Sequence, residues 1–181
     1  MRLFTGIDLS AEVAQALEER LARLRLAARI RWSPLANLHI TTRFIGEWPE
    51  ERLAELRAAL EAMRTPAPFP ISIRRLGLFP DPQRPRVFWA GVESSAALAR
   101  LAAETDGVLK GLGLPGEGRL FSPHLTLARI RARAELQGLR EAVASLPPPD
   151  FGTFRAERFY LYRSQPMGGN PVYTKLTGFP L

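Results

Sequence analysis

Leu3, Thr5, Ile7 and Leu9 fall at every second position, the period of a strand that keeps one face in a core. At Ser10 the period changes: Val13, Leu17, Leu21 and Leu24 are spaced for one helix face, with Ser10 as N-cap and an end near Ala28. Trp32, Ser33 and Pro34 lie in a loop before a strand predicted over Leu38–Ile45 and closed by Gly46. Pro49 is read as the first helical position, with Glu50 and Glu51 suiting the positive end of the dipole and Leu53, Leu56, Leu60 and Met63 forming the buried stripe. After a Pro-rich break at 65–70, Ile71 and Ile73 open a strand running to about Leu78.

Three prolines within Phe79–Pro85 exclude a regular element there, because they remove donors and fix backbone angles. The pattern then returns. Arg86–Glu93 reads as a strand, Ser94 or Ser95 as the cap of a helix burying Leu98, Leu101, Val108 and Leu109, and Gly111, Gly113 and Gly116 as a loosened exit. A strand near His124, a helix carrying Leu136, Leu139, Val143 and Leu146, a stop at Pro147–Pro149 and a strand over Phe154–Arg163 follow. Val172, Thr174 and Leu176 add one more strand within 171–179.

Displaced by 85 residues, the chain matches itself: Gly6 falls on Gly91, Asp8 on Glu93, Ser10 on Ser95, His39 on His124, Thr41 on Thr126, Ile45 on Ile130 and Phe69 on Phe154. An internal repeat of strand, helix, strand, helix, strand explains this. The expectation is one α+β domain of two pseudo-symmetric lobes, about 1–79 and 86–164. Each lobe is an antiparallel sheet with helices on its outer face, and a cleft separates the sheets.

With 181 residues, 46% of them hydrophobic and 24% charged, the chain can bury a substantial core. It has no apolar run of membrane-spanning length and no signal-peptide pattern at Met1–Gly6, so it is expected in the cytoplasm. The absence of cysteine excludes disulfides and thiol nucleophiles. A net charge of +7, carried by arginine with only Lys110 and Lys175 as lysines, favours a phosphorylated partner such as RNA or a nucleotide.

The two histidines of the chain, His39 and His124, each have a threonine two residues on. On a strand this spacing puts imidazole and hydroxyl on one face and turns Ile40 and Leu125 to the other. Nine of the 181 residues are threonine, so both coincidences arise by chance in only about 0.25% of cases, which sets this pair apart from an ordinary short-motif match. Placed by the repeat on equivalent inner strands, the histidines face each other across the cleft, one neutral and one protonated on either side of a phosphorus atom. One takes a proton from the nucleophile while the other gives one to the leaving oxygen; Thr41 and Thr126 donate to the non-bridging oxygens. No metal or cofactor is needed, and a zinc site on these two histidines would lack a third nitrogen or a sulfur ligand. From the residues alone, acid and base are interchangeable.

His39-Ile40-Thr41-Thr42 and His124-Leu125-Thr126-Leu127 resemble the paired HxTx motifs of the two-histidine phosphoesterases. The chain is most similar to the RNA 2',3'-cyclic phosphodiesterases, also called 2'-5' RNA ligases, through Phe4-x-Gly6-Ile7, Phe44-Ile45-Gly46, Pro123–Arg129 and the 164–173 loop. The resemblance implies hydrolysis of an RNA-terminal 2',3'-cyclic phosphate to a 2'-phosphate, with reversible 2'-5' joining of tRNA halves in some members. It makes His39 the proton donor to O3' and His124 the acceptor from water, and sandwiches the terminal base between Phe44 and Arg129. A monomer is expected. Thr42 departs from the motif's usual apolar residue. Phe44 and Arg129, five residues past their histidines, need a bulge or a bend at the strand end to reach the same face. Other readings of the cleft are a module that binds RNA ends without cutting them, or a phosphodiesterase for 2'-5' linkages or other small cyclic phosphates.

Overall fold

Nine strands and four helices make up the described part of the chain, residues 1–131 and 134–181 of a computed structural model. In chain order they are β1 (Arg2–Asp8), α1 (Ala11–Ala27), β2 (Arg31–Trp32), β3 (His39–Glu47), α2 (Leu53–Glu61), β4 (Phe69–Phe79), β5 (Val87–Ser94), α3 (Ala96–Gly111), β6 (His124–Arg129), α4 (Gln137–Ala144), β7 (Asp150–Ala156), β8 (Arg158–Gln165) and β9 (Val172–Pro180). The capping serines start their helices as expected: Ser10 Oγ accepts the N–H of Val13 at 3.3 Å, and Ser95 Oγ that of Ala97 at 3.3 Å. Val13, Leu17, Leu21 and Leu24 are buried on α1, and Leu98, Leu101 and Leu109 on α3. Among the described residues, no helix is long and apolar enough to cross a membrane.

The strands form two antiparallel sheets, ordered β3-β1-β8-β9 and β2-β6-β5-β4-β7, which is the expected α+β architecture. Each sheet holds an equivalent trio. β3, β1 and β8 answer to β6, β5 and β4 under the 85-residue repeat, and the third strand of each trio comes from the other half of the chain. Helices cross over too: α1 packs on β7 and α4, and α3 packs on β3 and α2. The sheets therefore do not follow a division of the chain between 79 and 86. A single hydrophobic cluster joins both halves, from Leu3 and Leu17 to Leu125, Leu139 and Phe159.

Three local expectations need correction. Phe154–Arg163 is two strands, because the buried face slips between Ala156 and Phe159; Glu157 and Arg158 are both exposed, and the chain changes sheets between them. Trp32, read as loop, pairs with Ala128 at the edge of the second sheet, next to Arg31 paired with Arg129. Pro49 stands just before a 3-10 turn, Glu50–Arg52, rather than inside a helix; its extended backbone joins β3 to that turn.

Candidate active site

β1 sorts its side chains by alternation, Leu3, Thr5 and Ile7 toward the helices and Phe4, Gly6 and Asp8 toward the facing sheet. Its register with β3 sets Asp8 opposite His39 and Gly6 opposite Thr41. On the other wall, β5 sets Gly91 opposite His124 and Trp89 opposite Thr126. Gly6 and Gly91 are repeat equivalents and both lie against the site. A Cβ on Gly6 would stand 2.8 Å from the Ile40 carbonyl oxygen, and one on Gly91 2.4 Å from that of Arg74. Between Trp89 and Gly77 the fit is closer still, the indole covering the position a Cβ would take.

Both imidazoles are held in one way. Nδ1 of His39 lies 2.7 Å from the Asn37 carbonyl, and Nδ1 of His124 lies 2.9 Å from that of Ser122. A carbonyl only accepts, so Nδ1 carries hydrogen in each ring and Nε2 is left to gain or lose a proton. β3 and β6 pack against each other across the junction of the sheets. The charges of His124 and Arg129 both reach His39. The two histidines thus share one cleft and one field.

Their surroundings differ. His39 is half-buried in an aromatic wall: Phe4 stacks on it at 4.6 Å, Tyr173 meets it edge-on at 5.1 Å and Tyr162 lies at 5.7 Å. Loss of solvation pushes its pKa below the ordinary histidine value; the bond to Asn37 and the charge of Asp8 oppose this, and Arg129 and His124 add to it. His124 is exposed. Beneath His39, Asp8 accepts the Tyr162 hydroxyl and pairs with Lys175, whose Nζ lies 4.6 Å over the Tyr160 ring. Burial and the Asp8 contact raise the Tyr162 pKa, and burial raises that of Tyr173, so both phenols stay protonated.

β3 and β6 carry the bulges that Phe44 and Arg129 require. The pairing of β3 with β1 skips a residue at Ile45 and at Thr42, and that of β6 with β5 skips Leu127. Each extra residue resets the alternation, so Phe44 and Arg129 emerge exposed, with Phe44 6.2 Å from Phe4 on the wall of His39. Thr42 turns inward. Its hydroxyl bonds that of Thr5 at 2.8 Å, and this buried pair accommodates the polar residue at a usually apolar position. Phe4, Asp8, Tyr162, Tyr173 and Lys175 gather around His39 and Trp89 lies opposite Thr126, and the His-x-Thr motif did not point to them. The signal available was the alternation of β1 and β8, which gathers Phe4, Asp8, Tyr160 and Tyr162 on one face.

A cleft between two repeated sheets, with one His-x-Thr strand on each wall, defines a two-histidine phosphoesterase. Two successive matches to the LigT-like phosphoesterase family span residues 7–89 and 91–173, and the chain belongs to that family. Similar proteins include the RNA 2',3'-cyclic phosphodiesterase of Aeropyrum pernix, 36% identical over 87% of this chain and 92% of the relative, and that of Thermus thermophilus, 36% identical over 100% and 90%. A crystal structure from Thermus thermophilus superposes with a TM-score of 0.83 at 36% identity, covering 100% of this chain and 98% of that one. Escherichia coli LigT complexed with 3'-AMP gives a TM-score of 0.79 at 28% identity, covering 99% and 97%.

Proposed function

We propose that this chain hydrolyses the 2',3'-cyclic phosphate at an RNA end to a 2'-phosphomonoester. The observation that carries this reading is the pair of imidazoles on facing strands, each with Nδ1–H tied to the carbonyl two residues back and Nε2 left for proton transfer. His124 takes a proton from water as the water oxygen bonds to phosphorus; the bond from phosphorus to O3' breaks, and His39 gives its proton to O3'. Thr41 and Thr126 donate hydrogen bonds to the non-bridging oxygens as charge grows there. Phe44 and Arg129 hold the terminal base between ring and guanidinium. When a ribose 5'-hydroxyl attacks in place of water, its oxygen bonds to phosphorus, the bond to O3' breaks as before and a 2'-5' linkage forms, which is how tRNA halves would be joined. Both histidines come from one chain, so a monomer suffices.

Asp8 and the aromatic wall give His39 its part. Burial disfavours its charged form in the free enzyme, and the anionic phosphate opposes that shift on arrival, favouring the protonated acid as substrate binds.

The test is an oligoribonucleotide ending in 2',3'-cyclic phosphate, with the product identified as 2'- or 3'-monophosphate. The expected product is the 2'-monophosphate, and His39→Ala and His124→Ala each reduce kcat by roughly a hundredfold to ten-thousandfold. Chelator leaves the rate unchanged. Activity lost to chelator and restored by zinc would refute the mechanism, and tight binding without turnover would make the protein a module for RNA ends.

A further inference from the structure

Outside the two-histidine site, the rim of the second sheet carries a band of arginines. The register of β2 with β6 sets Arg31 directly opposite Arg129. Trp32 turns inward, donating Nε1–H to the Ala28 carbonyl at 3.1 Å and meeting Phe88 edge-on, which leaves Arg31 on the cleft face beside Arg129. Next along the rim is Arg86, whose carbonyl accepts the Ile130 N–H at 2.8 Å. Arg84, Arg86 and Arg131 share a recess of about 340 Å3 with Gln83 and the apolar Pro85, Ile130, Ala134 and Leu136.

All five arginines are exposed. Among the described residues none of them pairs with a carboxylate, whereas Arg25, Arg43, Arg52, Arg74 and Arg75 all do. Asp81, the carboxylate of the neighbouring loop, turns back to accept the Gln83 N–H at 2.9 Å. Like charges directly opposed on adjacent strands repel, so the Arg31/Arg129 pair costs stability that an anion lying between them returns. Arginine forks match phosphate oxygens two at a time, and a row of them suits a polymer of phosphates.

We propose that Arg31, Arg86, Arg84 and Arg131 hold the phosphodiester backbone of the RNA on the 5' side of the reacting nucleotide, making the enzyme selective for oligonucleotide ends over mononucleotides. This rests on reading the cleft as a site for cyclic-phosphate ends. A mononucleotide is spanned by the histidines, Phe44 and Arg129 and reaches no further. A longer strand leaves the cleft past Arg129, where the band begins.

The test compares kcat/KM for adenosine 2',3'-cyclic phosphate with that for a dinucleotide, a tetranucleotide and an octanucleotide bearing the same end, in the wild type, in Arg31→Gln and in the double variant Arg84→Gln/Arg86→Gln. In the wild type kcat/KM rises with length by about tenfold or more, the scale of one or two charge-assisted contacts. The double variant flattens that rise and stays within about threefold of wild type on the mononucleotide, a change under 1 kcal/mol. Loss of two phosphate contacts also lowers the log–log salt slope for the octanucleotide by about 1.4. A wild type indifferent to length, equal losses on mononucleotide and octanucleotide, or competition by polyglutamate as strong as by RNA would each overturn the proposal. If the wild type turns over none of the four substrates, the cyclic-phosphodiesterase reading fails separately. Fluorescence anisotropy with a labelled octanucleotide ending in 3'-phosphate then decides the band: salt-sensitive binding weakened in the double variant sustains it, and equal binding by both proteins overturns it.

Discussion

Repeat-equivalent residues need not be chemically equivalent, and His39 and His124 differ because their strands pair in different registers. Asp8 and Glu93 are equivalents under the repeat, yet Asp8 lies opposite His39 while Gly91 lies opposite His124. Glu93 is instead taken up by Arg74 and Arg75. One imidazole thus gains a carboxylate neighbour and an aromatic wall, and the other faces solvent. Folding lowers the His39 pKa from its ordinary 6.5, so near and below that value the unfolded chain binds the proton more readily than the native one. Stability from this group is full above pH 6.5 and is lost as pH falls through that value toward the lowered native one. Thermal melts across this range should show the wild type losing Tm on acidification and His39→Gln losing less. With His39 as acid, its reactive protonated form disappears above its lowered pKa, so the alkaline limb of kcat/KM should lie below 6.5. The corresponding limb of kcat should lie higher, because bound phosphate favours the imidazolium.

At the scale of elements, the site depends on joining two strands that share no hydrogen-bond ladder. Arg43 makes one such join from the buried side of β3. Its guanidinium donates to Asp106 at 2.8 Å, to Glu117 at 2.7 Å and to the Pro115 carbonyl at 2.7 Å, fastening to β3 the loop that leads into His124. The contacts of Lys110 and Arg43 keep the Asp106 carboxyl below the usual range. Arg43→Met leaves Asp106 with Lys110 and the exposed Glu117 without this partner, and should cost about 1–3 kcal/mol, the scale for removing one side of a buried charged hydrogen-bond set. Chemical denaturation would measure it, and limited proteolysis should cut first within 113–121. The opposite side of the cleft has its own tie: Asn37 Nδ2 donates to the Pro171 carbonyl at 2.7 Å and Asn170 Nδ2 to that of Trp32 at 2.9 Å. Neither join is visible in local patterns, since each links polar residues from distant stretches of an irregular chain.

Over the whole molecule, the exchange of β4 and β8 between sheets makes the two halves interdependent. Residues 1–85 alone would leave β1 without β8 and β4 without β5. Calorimetry of the full chain should give one cooperative transition, with equal calorimetric and van't Hoff enthalpies. Neither half should give a transition by itself; a half that melts cooperatively would contradict the interdependence. The same exchange brings the two His-x-Thr strands to one junction, where the cleft lies between sheets that a common core holds together.

Periodicity, capping serines and the repeated motif were enough, within the sequence, for the helices, most strands, the α+β class and the two histidines with their threonines. These are properties of short windows, set by alternation, by helical spacing and by the few residue types that transfer protons near neutrality. Pairing register, the phase slip at Glu157, the bulges beside Phe44 and Arg129, and the crossing of strands between sheets were decided only in three dimensions. Each depends on which distant backbone supplies the hydrogen-bond partner, and a one-residue shift there moves a side chain from core to cleft. For that reason the sequence singles out the two histidines as candidates, while the fold alone sets apart a half-buried His39 from an exposed His124.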